Sequence, residues 1–317
     1  MNASVLRIAK LALYYSPKPI RSYISEKAQQ REVAHALEVA RRTKVTKDDV
    51  AQLLEQISVD TDVMLHTSMM NVGKIQGGVN FIAKTILDKV DISRHTLIVS
   101  ALPYRGRFLD YLREGHVFDV RTAPVAMGAV NEKFVDMEGT VRSIHPTHSV
   151  VALGPRAMDY AGEHHLDETP FGLQSPYYKL LKNNAVIMLF GATLNNLTFI
   201  HAIEDMVGDE HPVRVYSKHR FVVDCIDWDG NPLKVMTTCH APFKGIMRDV
   251  ERVRETMLSS GAMTTVPLGE GEFIMINCRK FTIEYLKMLA SGRSIYGRHK
   301  VTDKLRDKID SLLAQLQ

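Results

Sequence analysis

The sequence predicts an α/β fold: helices packed on a central mixed sheet, with a helical N-terminal segment and an antiparallel hairpin region. Three observations carry this. Between residues 60 and 206, apolar runs of strand length alternate with segments of helical period. The first ~57 residues show helical patterning only. Past residue 213, two strand-like runs flank the turn Asp227-Trp228-Asp229-Gly230-Asn231, rich in Asp and Gly. The chain has 317 residues, 45% hydrophobic and 24% charged, enough for a large core and unlike a mostly disordered chain. The expected organisation is a helical segment 1–57, a main domain 58–295 and a C-terminal helix 296–317.

The elements follow in order. Residues 6–15 and 31–42 read as helices around a break at Ser16-Pro17-Lys18-Pro19. Thr46 is an N-cap candidate, with Asp48 and Asp49 in the first turn and Val50, Leu53, Leu54 and Ile57 on the apolar side. Residues 63–66 form a buried strand, Gly73, Gly77 and Gly78 punctuate a loop, and residues 79–90 have a helix period. Strands follow at 95–102, 149–154 and 185–191, the last being the most apolar in the chain. Helices are expected at 127–137, at 176–182 under a Ser175 cap, and from Thr198 to Met206. The hairpin pairs 213–225 with 233–238. A charged amphipathic helix covers 241–260, residues 264–277 are strand-like around Gly269 and Gly271, and helices close the chain at 280–290 and 301–316.

No apolar run approaches the ~20 residues of a membrane span. The N-terminus lacks a clear small-residue cleavage site and is not read as a signal peptide. Cys225, Cys239 and Cys278 have neither metal-type nor redox spacing, and fit a reducing cytoplasm as plain apolar residues. A net charge of +4 is too weak to argue for nucleic acid.

Several familiar sites are absent, among them the G-x-x-x-x-G-K-[ST] phosphate loop and the G-x-S-x-G nucleophile elbow. Gly73-Lys74-Ile75-Gln76-Gly77-Gly78 follows neither spacing. From spacing alone it is a strand-to-helix turn, although backbone N–H groups at a helix start also suit a phosphate. His145-Pro146-Thr147-His148 is read as a polar loop entering a strand rather than a metal pair, because no third ligand stands nearby. The segment after the most apolar strand is more informative, since ligands favour the C-terminal ends of such strands. There His201 and Glu204, three apart on one helix face, can make an oriented base. Taken alone, an ordinary surface His–Glu pair is the better reading.

Four segments together resemble the antibiotic (aminoglycoside) 3-N-acetyltransferase family over residues 60–285. Leu65-His66-Thr67-Ser68-Met69-Met70-Asn71-Val72-Gly73 with Gly77-Gly78 is similar to the family's V-H-S-S-L-x-x-L-G…G-G. Arg142-Ser143-Ile144-His145-Pro146-Thr147-His148-Ser149-Val150 with Gly154 is similar to R-S-x-H-P-x-x-S-x-x-A-x-G. Ser175-Pro176-Tyr177-Tyr178-Lys179-Leu180 is similar to S-P-x-x-x-L, and residues 198–204 to T-x-x-H-x-x-E. Each is weak alone; their order and spacing make the resemblance specific. It implies an acetyl-CoA-dependent N-acetyltransferase needing no metal. Ser68, Gly73, Gly77, Gly78, Ser143, His145, Ser149 and Ser175 would hold coenzyme A. His201 would take a proton from the acceptor amine, Glu204 or another acid would orient it, and Thr198 would lie near the thioester.

Two departures bear on the acceptor. The first ~57 residues form a longer N-terminal segment than family members usually carry; it is read as an extra packing layer or dimer contact, ahead of a surface for an anionic membrane. The net positive charge suits an anionic acceptor, so the first expectation is an amino sugar of surface-polysaccharide synthesis, with an aminoglycoside as the alternative. A catalytically inactive scaffold is the second alternative. Glu132, Asp167 and Glu168 are the acceptor-side candidates, the last two within a local acidic cluster with Asp159 and Glu163. The expected partners are a small-molecule amine and a second copy of the chain as a homo-oligomer, with no nucleic acid and no membrane span.

Overall fold

The computed structural model describes residues 12, 13 and 15–316. The expected helix at 6–15 therefore lies largely outside the described residues. The first complete element is a single helix, α1 (Lys18–Arg42). The expected break falls at Ser16 and Pro17, between helical residues 12, 13 and 15 and this helix, which begins at Lys18 rather than at 31: Pro17 is the N-cap, and Pro19 sits in the first turn, where its missing N–H costs nothing. After β1 (Lys44–Val45), helix α2 (Lys47–Glu55) opens on a reciprocal cap, in which Asp49 N–H donates to the Thr46 hydroxyl and Thr46 N–H to the Asp49 carboxylate.

The chain continues through β2 (Val63–Thr67), β3 (Lys74–Ile75), α3 (Gly78–Val90), β4 (Leu97–Ser100), α4 (Phe108–Arg113), β5 (Phe118–Asp119) and α5 (Ala129–Val135). It goes on with β6 (Thr140–Arg142), β7 (Val150–Leu153), α6 (Ala157–Ala161), α7 (Pro176–Lys182), β8 (Val186–Phe190) and α8 (Ile200–Val207). The hairpin β9 (Tyr216–Ile226) and β10 (Pro232–His240) leads to α9 (Pro242–Met247) and α10 (Arg254–Ser259). The last elements are β11 (Met263–Leu268), β12 (Gly271–Asn277), α11 (Cys278–Ala290), β13 (Arg293–Ser294), β14 (Gly297–Arg298) and α12 (Asp303–Leu316).

The central sheet has the order β11-β12-β8-β2-β4-β7-β6. Strands β8, β2 and β4 are parallel and form its middle, and the flanking pairs are antiparallel. Buried on both faces, the middle strands read as unbroken apolar runs. Their alternation sorts side chains between two cores. Met64, Ile187 and Leu189 face one core with α7, α8, α11 and α12; Leu65, Met188 and Phe190 face the other with α2, α3 and α5. The hairpin and β5 make a separate three-stranded sheet that closes a third, smaller core with Leu109 and Leu112. Cys225 and Cys239 pack in that core and Cys278 in the first, all as free thiols.

One expected element divides. Residues 241–260 form α9, a 3-10 turn at Val250–Val253, and α10 rather than one helix. Arg248 and Asp249 are extended, because tertiary bonds outweigh local period: Arg248 donates to the carbonyls of Asn195 and Leu197, and Asp249 N–H to that of Ile295.

At the C-terminal end of β8 the chain turns at Gly191 with φ +67°, and a Cβ there would come 2.2 Å from the Ser68 carbonyl oxygen. Only glycine fits both demands. Gly191→Ala is therefore expected to destabilise the fold by at least ~2 kcal/mol, read as a lower urea midpoint. An unchanged midpoint would mean that the approach relaxes freely.

Candidate active site

The middle strand β2 has β4 on one side and β8 on the other, so the chain reverses its direction of sheet growth at β2. Crevices form at the C-terminal ends of strands at such a point. Asn131, from α5, spans two of these ends: its amide nitrogen donates to the Ser100 carbonyl at 3.0 Å, and its amide oxygen accepts from Thr67 at 3.3 Å. Beyond β8, the loop 191–199 is fixed by a Thr193–Asn196 capping pair and by Arg248 on two of its carbonyls. It launches α8 with His201 in the first turn.

Helix α8 begins at Ile200, so Thr198 does not open it as the sequence suggests. Its carbonyl instead accepts from His201 N–H, and its hydroxyl is buried beside the Tyr177 phenol without a formed hydrogen bond. His201 Nδ1 lies 2.7 Å from Glu204 Oε2. Both residues are buried, Glu204 completely. With Nδ1–H donating to the carboxylate, the lone pair of Nε2 remains for a proton. Two residues that sequence reasoning missed complete the group. Lys244 Nζ donates to the same Oε2 at 2.9 Å, and the Tyr296 hydroxyl donates to Oε1 at 2.6 Å.

Charge in this group follows burial. Removal from water lowers His201 to about 4, against the opposing pull of Glu204, so the imidazole is neutral at pH 7. Burial alone would raise Glu204, but the His201 and Lys244 charges and the hydrogen bonds outweigh it and hold it well below the usual carboxylate range. Burial lowers Lys244 to about 8. Next along α8, burial pushes Asp205 up to about 7 although the Thr169 and Tyr216 hydroxyls both donate to it.

His240 completes the arrangement. Its ring centroid is 4.3 Å from that of His201 and 5.3 Å from that of Tyr216, and its Nε2 is buried without a partner. Ligand-type atoms of His201, Glu204 and His240 lie within 4.8 Å of one another. A cation placed there would meet the Lys244 ammonium on the same carboxylate oxygen, so the geometry suits a proton relay better than a metal centre.

The sequence-derived coenzyme A residues separate into two groups. Ser68 follows β2, and its N–H donates to the Phe190 carbonyl at 2.9 Å. Gly77 and Gly78 are exposed at the start of α3, and a side chain at Gly78 would meet open space. Gly73 packs against Thr43. Ser143, His145, Ser149 and Ser175 are fully buried, with their polar atoms engaged. Ser143 Oγ accepts from Val150 N–H, Ser149 Oγ donates to the Ala101 carbonyl, His145 Nδ1 accepts from two backbone N–H groups, and Ser175 Oγ caps α7.

The acidic cluster divides as well. Glu163 turns to buried Lys179, which donates to its carboxylate and to the Asp159 backbone carbonyl, while the Asp159 carboxylate accepts from the Asn183 amide. Glu132 is exposed on α5. Asp167 and Glu168 line a cleft of about 700 Å³ that also contains Phe171, Glu204, Asp205 and Tyr216. This cleft carries the carboxylates Asp167, Glu168, Glu204, Asp205 and Asp209 against the cations Arg214, Lys218 and Arg220. More cations gather at a neighbouring cleft of about 590 Å³, where Arg21, Arg107, Arg113, Arg214 and Lys218 face Asp110. Trp228 is spent on structure, its indole N–H donating to the Arg142 carbonyl.

Known proteins share this arrangement of chain. The model of the aminoglycoside 3-N-acetyltransferase family matches residues 64–290. Aminoglycoside N(3)-acetyltransferase IX of Micromonospora chalcea is 33% identical over 177 residues, half of this chain and 62% of that protein, less than two thirds of its length. Aminoglycoside N(3)-acetyltransferase III of Pseudomonas aeruginosa is 26% identical over 253 residues, 74% of this chain and 90% of that one. Among solved structures, AAC-IIIb in binary complex with CoASH superposes with a TM-score of 0.63 at 22% identity, over 78% of this chain and 97% of the other, and shares the fold. No helix among the described residues is long and apolar enough to cross a membrane.

Proposed function

The chain belongs to the aminoglycoside 3-N-acetyltransferase family, and from that premise we propose that it transfers the acetyl group of acetyl-CoA to the 3-amino group of an aminoglycoside, the chemistry of antibiotic resistance. The observation that carries the reading is the buried His201–Glu204 pair: a neutral imidazole held by Nδ1, bordered by Phe171 and Glu204 of the acid-lined cleft.

This replaces the expectation of an anionic sugar of polysaccharide synthesis. The family model and both relatives carry aminoglycoside names, and their match overturns it. The charge argument failed because +4 is a sum over the whole chain. Electrostatic steering depends on the charges that face the acceptor, and a whole-chain sum does not say where those stand.

In the proposed reaction the neutral acceptor amine attacks the thioester carbonyl. A C–N bond forms, the C–S bond breaks, and the proton leaving nitrogen passes to His201 Nε2 and on to the departing thiolate. Thr198, with its buried hydroxyl ahead of His201, borders the carbonyl oxygen as negative charge develops. Ser68 and the glycine turn Gly73, Gly77 and Gly78 would hold coenzyme A, while Ser143, His145, Ser149 and Ser175, fully buried with their polar atoms engaged, would support that site through the fold rather than by contact.

The test is free-thiol release from acetyl-CoA with a panel of aminoglycosides. Release dependent on the drug, with product acetylated at N3 by mass spectrometry and NMR, is the expected result. Coenzyme A binding without release for any aminoglycoside would overturn the reading.

A further inference from the structure

We propose that Lys244 is a positioning residue for the base: by claiming the Glu204 oxygen that His201 also uses, it keeps His201 free of a proton. The proposal rests on the reading of His201 as the base.

The geometry is a buried carboxylate held by three hydrogen-bond partners. Glu204 Oε2 accepts from both His201 Nδ1 and Lys244 Nζ, and Oε1 accepts from Tyr296. Lys244 is 3% exposed, and its ammonium lies 4.6 Å from the centroid of the Tyr296 ring, so its charge is well shielded from water. Consider the group without Lys244. A buried carboxylate would then face His201 as its main partner and draw a proton onto it, because an isolated buried charge costs more than an ion pair. His201 would rest as imidazolium and could accept nothing. With Lys244 present, Glu204 is already neutralised. Protonating His201 would put a second cation on one anion.

The groups around Lys244 are consistent with this. Glu204 and Asp205 face it from α8, and Asp205 is itself pushed toward its neutral form by burial. His201, His211 and His240 feel its charge and are lowered, chiefly by burial. Arg248 also repels a proton on His201, more strongly than Lys244 does, and feels the Glu204 charge, but its guanidinium is hydrogen-bonded to the carbonyls of Asn195 and Leu197 rather than to the Glu204 carboxylate. Arg248 therefore supplies a fixed background, and Lys244 supplies the charge on the shared oxygen.

The test uses Lys244→Met, Lys244→Gln and Lys244→Arg in the full chain, with two readouts. One is kcat/KM for acetyl transfer against pH. The other is NMR titration of the His201 ring in the free protein, its resonance assigned by loss in His201→Gln. Removing the charge should move the acid limb of the profile up by ~1 pH unit or more, and the His201 titration with it, while Lys244→Arg stays near wild type. Lys244→Gln keeps an N–H toward Glu204, so the experiment stands if the methionine variant does not fold. An activity loss equal at all pH values, with the His201 titration unmoved, would overturn the proposal and leave Lys244 a packing residue. The ring titration is independent of turnover. If no aminoglycoside is acetylated, a shifted His201 still supports the coupling and an unshifted one refutes it.

Discussion

Replacing His201 by alanine is expected to lower turnover of an aminoglycoside at least ~100-fold while coenzyme A binding persists. The imidazole is lowered to about 4 by burial, so it is a weak base by ordinary standards. That suffices here. In the proposed reaction the proton it takes sits on a nitrogen that becomes strongly acidic as the C–N bond forms, so transfer is downhill at the moment it is needed. In the proposed reaction His201 acts after both substrates are bound, so the loss should appear in kcat, with little change in KM for acetyl-CoA. Isothermal titration with coenzyme A and steady-state kinetics separate the two. A variant with near-normal kcat would place the base elsewhere, and His240, 4.3 Å away ring to ring, would be the next residue to replace.

A second large effect is expected in stability. His66, His145, His148, His164 and His201 are all buried, and burial lowers each of them: to about 4 for His66 and His201, to about 3 for His148 and His164, and well below the usual imidazole range for His145. In the unfolded chain each takes up a proton near pH 6.5. Their contribution is thus complete above pH ~6.5 and is lost as pH falls from there toward the folded values. Each histidine that protonates only on unfolding steepens the loss by ~1.4 kcal/mol per pH unit. Asp205, raised to about 7, works the opposite way, since its folded form holds a proton that the unfolded form releases above about 3.8. One carboxylate does not offset five imidazoles. Urea midpoints should therefore drop steeply between pH 7 and pH 5. A flat profile would show that these rings reach water in the folded state. Stacking sharpens the expectation: His145 and His164 lie ring on ring with centroids 4.4 Å apart, so protonating one opposes protonating the other.

Local pattern made much of this legible. The Thr46 cap, the Ser175 cap on α7 and the strands of the sheet centre all depend on neighbours in sequence, and the structure has them where period and capping residues point. The His201–Glu204 pair was legible for the same reason, as partners three apart on a helix. The groups that give the pair its chemistry were not. Lys244 is 40 residues from Glu204 and Tyr296 is 92, and no spacing rule links them. Local pattern also misread 241–260, where the bonds of Arg248 and Asp249 to distant carbonyls break a helical period. The short elements α4, β6 and α6 carry too few residues for a period to show. Net charge misled about the acceptor because it says nothing of where charges stand.

The span of Glu204's partners also sets an order of events in synthesis. A ribosome delivers the base and its carboxylate long before Lys244, and delivers Tyr296 later still. Until then Glu204 has only His201 to hold its charge, and two of its three hydrogen-bond partners are missing. The full set of contacts around Glu204 is thus completed only when the C-terminal part of the chain has folded, and the activity proposed for it would report the completion of folding rather than its onset.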